Sequence, residues 1–131
     1  MEKTLVLIKP DAVEKNHIGD ILSIYEKNGL KVIDIKMLTA TEDIAKKHYA
    51  DHIDKRFFKD LISYITRSPV IAIILQGDNA IEDVRNINGS TDPKNAAHGT
   101  IRNLYAVSKS ENSVHASDCA KSADKEIAIW F

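Results

Sequence analysis

The 131-residue chain has a single cysteine, Cys119, which excludes an internal disulfide and a structural zinc site built on several thiolates. Positive charge is in no excess either. The formal net charge is -1, and the lysines and arginines are scattered, so the basic patch that a nucleic-acid surface requires is missing. No apolar run is long enough to span a bilayer, and the opening Thr4-Leu5-Val6-Leu7-Ile8 is too short for a signal-peptide core with its cleavage site. The expectation is a cytoplasmic protein without a membrane partner. Neither Gly-x-x-x-x-Gly-Lys-Ser/Thr nor Gly-x-Gly-x-x-Gly occurs, so any bound phosphate must be held largely by side chains.

What is present suits one domain over residues 1–131, with one sizeable core. Thr4 to Ile8 reads as a strand that stops before Pro10, which also pushes Lys9 to an extended conformation at the strand end. Ile18, Ile21, Leu22 and Tyr25 repeat at helical spacing, and Gly29 supplies the stop. Ile33, Ile35 and Met37 alternate with Asp34 and Lys36 and predict a strand with one buried face. Thr41 is an N-cap for a helix through Tyr49, and Phe58, Leu61, Ile62 and Ile65 mark another helix whose stripe leaves Phe57 off centre. Val70 to Leu75 is continuously apolar, as expected of a central strand covered on both faces. Ala80, Ile81, Val84 and Ile87 again repeat at helical spacing, whereas residues 86–111 show no sustained period and predict a long binding loop. A short strand near Val114 and a helix near Ala123 to Ile129 complete a β-α-β-α-α-β-α-β-α order, an α+β, ferredoxin-like sandwich with a four-stranded antiparallel sheet.

Several residues are able to carry chemistry. Arg85, Thr91 and Arg102 bracket the long loop, and two guanidinium forks with a hydroxyl suit the adjacent oxygens of a di- or triphosphate. An arbitrary pair of arginines is more often solvated or bridged to carboxylates, so the surrounding motif has to carry the assignment. Alternation sends Val114 inward and His115 to the opposite side, toward a cleft. A neutral imidazole is nucleophilic near pH 7 and holds a phosphoryl group between two half-reactions, with Glu126 and Ser117 as supports for the ring. His48 and His52 are spaced i, i+4, but without a His-Glu-x-x-His pattern they are read as surface residues rather than metal ligands. Cys119 is read as a bystander.

Ile8-Lys9-Pro10-Asp11, Gly99-Thr100-Ile101-Arg102, the segment Asn112 to Asp118 and the terminal Glu126-Ile127-Ala128-Ile129-Trp130-Phe131 closely resemble the nucleoside diphosphate kinase family, in order and spacing, over essentially the whole chain. The resemblance implies ping-pong transfer of a terminal phosphoryl group between nucleoside tri- and diphosphates. It makes His115 the nucleophile through Nδ1, supported by Glu126 and Ser117. Lys9 and Asn112 then contact the ribose and terminal-phosphate region, Tyr49 lies beside the phosphoryl site, Phe57 meets the base, and Arg85, Thr91 and Arg102 take the phosphates. Mg²⁺ is expected to arrive on the nucleotide, with no structural metal site in the protein. The resemblance also implies a homo-oligomer built from dimers, tetramer or hexamer. The chain stops at Trp130-Phe131, where longer relatives continue with a segment that contributes to assembly.

Four positions depart from the family pattern: Arg56 and His98 each replace a proline, and Asn103-Leu104 replaces a glycine followed by a polar or charged residue. Two rival readings follow. One is a nucleotide-binding regulator without turnover, against which His115 and Glu126 argue. The other is a nucleic-acid module on a ferredoxin-like sheet, against which the missing interleaving of basic and exposed aromatic residues argues.

Overall fold

A computed structural model describes all residues, Met1–Phe131. Four strands, β1 (Glu2–Ile8), β2 (Lys31–Leu38), β3 (Val70–Gly77) and β4 (Val114–Ala116), form one sheet in the order β2-β3-β1-β4, and every pairing is antiparallel. The apolar run of β3 lies between β2 and β1, and its residues Val70 to Leu75 are buried. Strand side chains alternate across the sheet. Val6, Ile8, Ile71, Ile73 and Leu75 therefore join one core with Ile21, Tyr25 and Val84, while Leu5, Leu7, Val70 and Ala72 join another with Ala45, Ile65 and Trp130.

The helices covering these two faces are α1 (Pro10–Glu14), α2 (Ile18–Lys27), α3 (Glu42–His48), α4 (Phe58–Thr66), α5 (Ala80–Asn88), α6 (Ile101–Tyr105) and α7 (Ala120–Trp130). Thr41 caps α3 by accepting from the Ile44 amide at 3.2 Å, and Gly29 takes φ +83 after α2, the left-handed conformation that glycine adopts without strain. No helix is long and apolar enough to cross a membrane.

Two expectations are corrected. The stretch 86–111 is not one irregular loop. It begins inside α5, makes a 3-10 turn at Pro93–Asn95 and contains α6, and α6, like α1, has only five residues, too few to repeat an apolar face. Strand β2 does not have a buried apolar face. Ile33, Ile35 and Met37 are 40%, 44% and 57% exposed. The period of two does mark a strand, but β2 is an edge strand with a register shift between Val32 and Asp34, and the helical layer does not bury these three side chains.

Candidate active site

The end of β1 holds one side of a cleft. Lys9 is extended (φ -78, ψ 166) and Pro10 starts α1 behind it. The Lys9 amide donates to the Ser113 carbonyl at 2.8 Å, and its Nζ donates to Asn112 Oδ1 at 2.9 Å. Asp11, 2% exposed, accepts from the Ser113 amide at 3.1 Å through Oδ2 and from the Tyr64 hydroxyl through Oδ1. Ser113 has φ 73, a conformation costly for a residue with a side chain. The backbone and carboxylate bonds from Lys9 and Asp11 hold it in place, and they fix where β4 begins.

Strand β4 pairs with β1 so that His115 lies opposite Leu7. Val114 and Ala116 enter one core, leaving His115 on the face of Tyr49 and Trp130. There His115 Nε2 lies 2.8 Å from Glu126 Oε1, and the buried Ser117 hydroxyl donates to the same oxygen at 2.7 Å. An ionised carboxylate only accepts hydrogen bonds, so Nε2 carries the proton and Nδ1 keeps a free lone pair. The pair fixes one tautomer and leaves one nitrogen able to attack.

These elements enclose a cleft of about 800 Å³, of whose 21 lining residues only 3 are hydrophobic. That is the reverse of the mostly apolar lining usual for small-molecule pockets, and it fits a charged ligand. Lys9, Tyr49, Arg85, Thr91, Arg102, Asn112, His115 and Glu126 all line it. Ser117 lies behind Glu126. Phe57 is not in the lining. It is 46% exposed and meets the cleft through His52, whose ring is 5.9 Å from its own.

The cationic side carries unspent charge. Desolvation, followed by repulsion from Arg102, lowers the Lys9 pKa to about 8, against a smaller opposing pull from Asp11. Desolvation also lowers the pKa of Arg102, which nevertheless stays protonated. An entering polyanion would relieve both. Arg102 also shapes the backbone around it. It donates to the carbonyls of Gly89 at 2.7 Å, Val114 at 2.8 Å and Asn112 at 3.3 Å, stapling the loop to β4. Gly89 has φ 86, and a Cβ there would lie 2.5 Å from Thr100 Oγ1, so only glycine fits. Tyr49 stays a phenol, its pKa pushed up to about 12 by burial and then by Glu126.

Asn103 has a defined place against the loop. The Asn103 side chain accepts from the Gly99 amide at 3.2 Å and donates to the Ala96 carbonyl at 3.5 Å, adding a stitch across the loop that carries His98. Arg56 and His98 are exposed.

His48 is corrected from a surface residue to a wall of the cleft. Its ring meets that of His115 edge-on at a centroid distance of 4.6 Å, and its Nδ1 accepts from the Trp130 indole at 3.1 Å. No local pattern marks this, because the partner that places His48 lies on α7. Trp130 and Glu126 are i, i+4 and share a face of α7, so a residue packed on one lies near the other. Asp11 and Gly89 were also missed as site-building residues, because the partners of Asp11 lie 53 and 102 residues away and the approach of Gly89 to Thr100 depends on how the loop folds.

A ferredoxin-like sandwich with a cationic cleft built from side chains, and an imidazole nitrogen free within it, defines a class: α+β enzymes that handle phosphate groups. Comparison with known proteins narrows this. The family model described as nucleoside diphosphate kinase matches residues 2–131. A nucleoside diphosphate kinase of Clostridium perfringens is 56% identical over all of this chain and 92% of its own length. One from Pyrococcus abyssi is 51% identical over 99% of this chain and 84% of its own. Among solved structures, the Aquifex aeolicus nucleoside diphosphate kinase superposes with a TM-score of 0.97 at 38% identity, over 99% of this chain and 94% of that one. The Halobacterium salinarum enzyme in complex with CDP gives 0.96 at 42% identity, over 99% and 87%. The chain belongs to the nucleoside diphosphate kinase family and is a nucleotide phosphotransferase.

Proposed function

We propose that this chain transfers the terminal phosphoryl group of a nucleoside triphosphate to His115 Nδ1, and then from phospho-His115 to a nucleoside diphosphate. The observation that carries the assignment is the Glu126 contact, which commits Nε2 and leaves Nδ1 free in the cleft. In the first half-reaction the Nδ1 lone pair forms a bond to the terminal phosphorus, the bond to the bridging oxygen breaks, and the diphosphate leaves with those electrons. Glu126 stabilises the cationic ring through Nε2–H, and Ser117 holds the carboxylate. The second half-reaction reverses these steps with another diphosphate in the same cleft, so one set of side chains serves both.

Lys9, Arg85 and Arg102 supply positive charge toward the phosphate oxygens, Thr91 and Asn112 supply hydrogen bonds, and the Tyr49 phenol lies beside the transferring group. Phe57 offers a face to the nucleobase, and stacking of this kind tolerates any base. The carboxylates of Asp51 and Asp118 line the cleft, too few for an all-protein octahedral cage but suited to a metal held mainly by phosphates and water. Mg²⁺ brought on the nucleotide would add charge neutralisation there.

The same reading includes a homo-oligomer built from dimers. Support comes from the uncovered β2 edge with Ile33, Ile35 and Met37, since an exposed apolar edge strand is a pairing surface. Mass measurement in solution separates tetramer from hexamer. Nucleoside di- and triphosphates as substrates accord with action in the cytoplasm.

The test is incubation with γ-³²P-labelled ATP and Mg²⁺, then a chase with unlabelled GDP. Acid-labile label on the protein, absent from His115→Ala and chased into GTP, is expected. Nucleotide binding with neither labelled protein nor GTP would sink this reading and favour a regulator.

A further inference from the structure

His48, His115 and Glu126 each offer a ligand atom, and these atoms lie within 4.8 Å of one another. Two imidazoles and a carboxylate, with the cleft as an open fourth side, have the composition of a transition-metal site. Such an ion would draw the His115 ring and the Glu126 carboxylate out of the contact that leaves Nδ1 free to attack phosphorus. The hydrogen bonding around His48 argues that the trio is held closed to metals.

An indole N–H only donates. Because Trp130 Nε1 donates to His48 Nδ1 at 3.1 Å, Nδ1 must present its lone pair, and the proton of the neutral ring sits on Nε2. A metal needs a lone pair, so binding at Nε2 would force the proton onto Nδ1, against the indole N–H. Trp130 is 1% exposed and has no water to turn to. Metal-binding histidines ordinarily show the opposite arrangement, in which the second nitrogen donates outward. Protonation of His48 is opposed in the same way. Burial, then the nearby His115, Lys9, His52 and Lys125, lower its pKa well below the ordinary value, with Glu126 as the carboxylate within reach.

We propose that Trp130 is a positioning residue that locks His48 in its neutral Nε2–H tautomer, and thereby denies the His48–His115–Glu126 trio to a transition-metal ion. The two histidines then hold complementary states. His115 has its N–H engaged and its lone pair free; His48 has its lone pair engaged and its N–H free. Mg²⁺ on a nucleotide is not excluded by the lock, because it prefers oxygen ligands. The purpose assigned to the lock rests on His115 being the nucleophile, whereas the tautomer and the metal selectivity do not.

The test uses the whole 131-residue chain. Long-range ¹H–¹⁵N spectra, with His48 assigned from His48→Asn, are expected to show an unprotonated Nδ1 and a protonated Nε2 from pH 6 to pH 8. Zn²⁺ titrations against a chromophoric chelator are then expected to show Trp130→Phe binding about 10–100-fold more tightly than wild type, with the gain lost in Trp130→Phe/His48→Asn. A protonated Nδ1 in the wild type overturns the proposal, and so does a folded Trp130→Phe that binds Zn²⁺ no better than wild type. If Trp130→Phe does not fold, the wild-type spectra decide alone. Neither readout depends on turnover, so a failure of the phosphohistidine reading stays separate.

Discussion

The two ends of the cleft are built by opposite means. At the His115 end, His115 on β4, Ser117 just after it and Glu126 on α7 lie within 12 residues, and the first two both bond the Glu126 carboxylate. At the cationic end the contacts run between irregular segments. Arg102 reaches three carbonyls on two segments, Asn112 binds Lys9 from 103 residues away, and Gly89 lets the loop close against Thr100. One end is set by regular elements, the other by tertiary contacts that hold an irregular segment. Damage to the first should therefore lower chemistry with the fold intact, whereas damage to the second should cost fold and binding together.

The sharpest way to break the loop end is Gly89→Ala. Both φ 86 and the 2.5 Å approach to Thr100 Oγ1 oppose a Cβ. The backbone strain and the overpacking together should destabilise by about 3 kcal/mol or more. Denaturant unfolding and phosphoryl-transfer assays should fall together. An unchanged midpoint with normal activity would mean that the loop is not held as described.

At the other end, Glu126→Gln keeps the shape but replaces the carboxylate that fixes and stabilises the His115 ring. We expect kcat to fall about 10–100-fold, the range seen when a metal-bound histidine loses its orienting partner, while thermal unfolding shifts little. A pre-steady-state burst of phosphoprotein would be slowed by the same factor. A fall in stability comparable to that of Gly89→Ala would erase the contrast between the two ends.

The same contrast decides what could be read from sequence. β3, α2 and the alternation around His115 were legible because their patterns depend on near neighbours: a continuous apolar run, a helical face, a period of two. The exposure of Ile33, Ile35 and Met37 was not, since alternation says which residues share a face and not whether a layer covers it. α1 and α6 are shorter than the repeat by which helices are recognised. His48 was misplaced because its defining partner, Trp130, is 82 residues away. The candidate site residues came mainly from family motifs, while the reasons they hold their positions, at Asp11, Gly89 and Arg102, required the fold.

Lys9 links the two ends through pH. Its folded pKa is about 8 against an ordinary 10.5. Between these values the unfolded chain binds more protons, so the Lys9 contribution to stability rises with pH from 8 to 10.5. Nucleotide affinity runs the other way. If Lys9 meets the phosphates as proposed, it does so as the ammonium, which is present below pH 8 and lost above it, so the complex takes up a proton. Affinity for ADP should weaken by up to about tenfold per pH unit above 8. Calorimetry at pH 8 in buffers of different ionisation enthalpy should report uptake of a fraction of a proton, absent in Lys9→Met. No buffer dependence would mean that Lys9 does not meet the phosphates.

Phe57 should give the smallest effect, because it belongs to neither end. Half-exposed and joined to the cleft only through His52, it is held by little before a base arrives, and a base stacked on one face keeps its other face and edges free. Phe57→Ala should cost about 1 kcal/mol of nucleotide binding, the low end for base–aromatic stacking. This would be read as a KM increase of about fivefold, similar for ATP, GTP and CTP, with kcat nearly unchanged. Equal losses across bases would assign the ring to non-selective stacking. A loss confined to one base would require a hydrogen-bonding contact that a phenyl ring cannot make, and would move base recognition to His52 beside it.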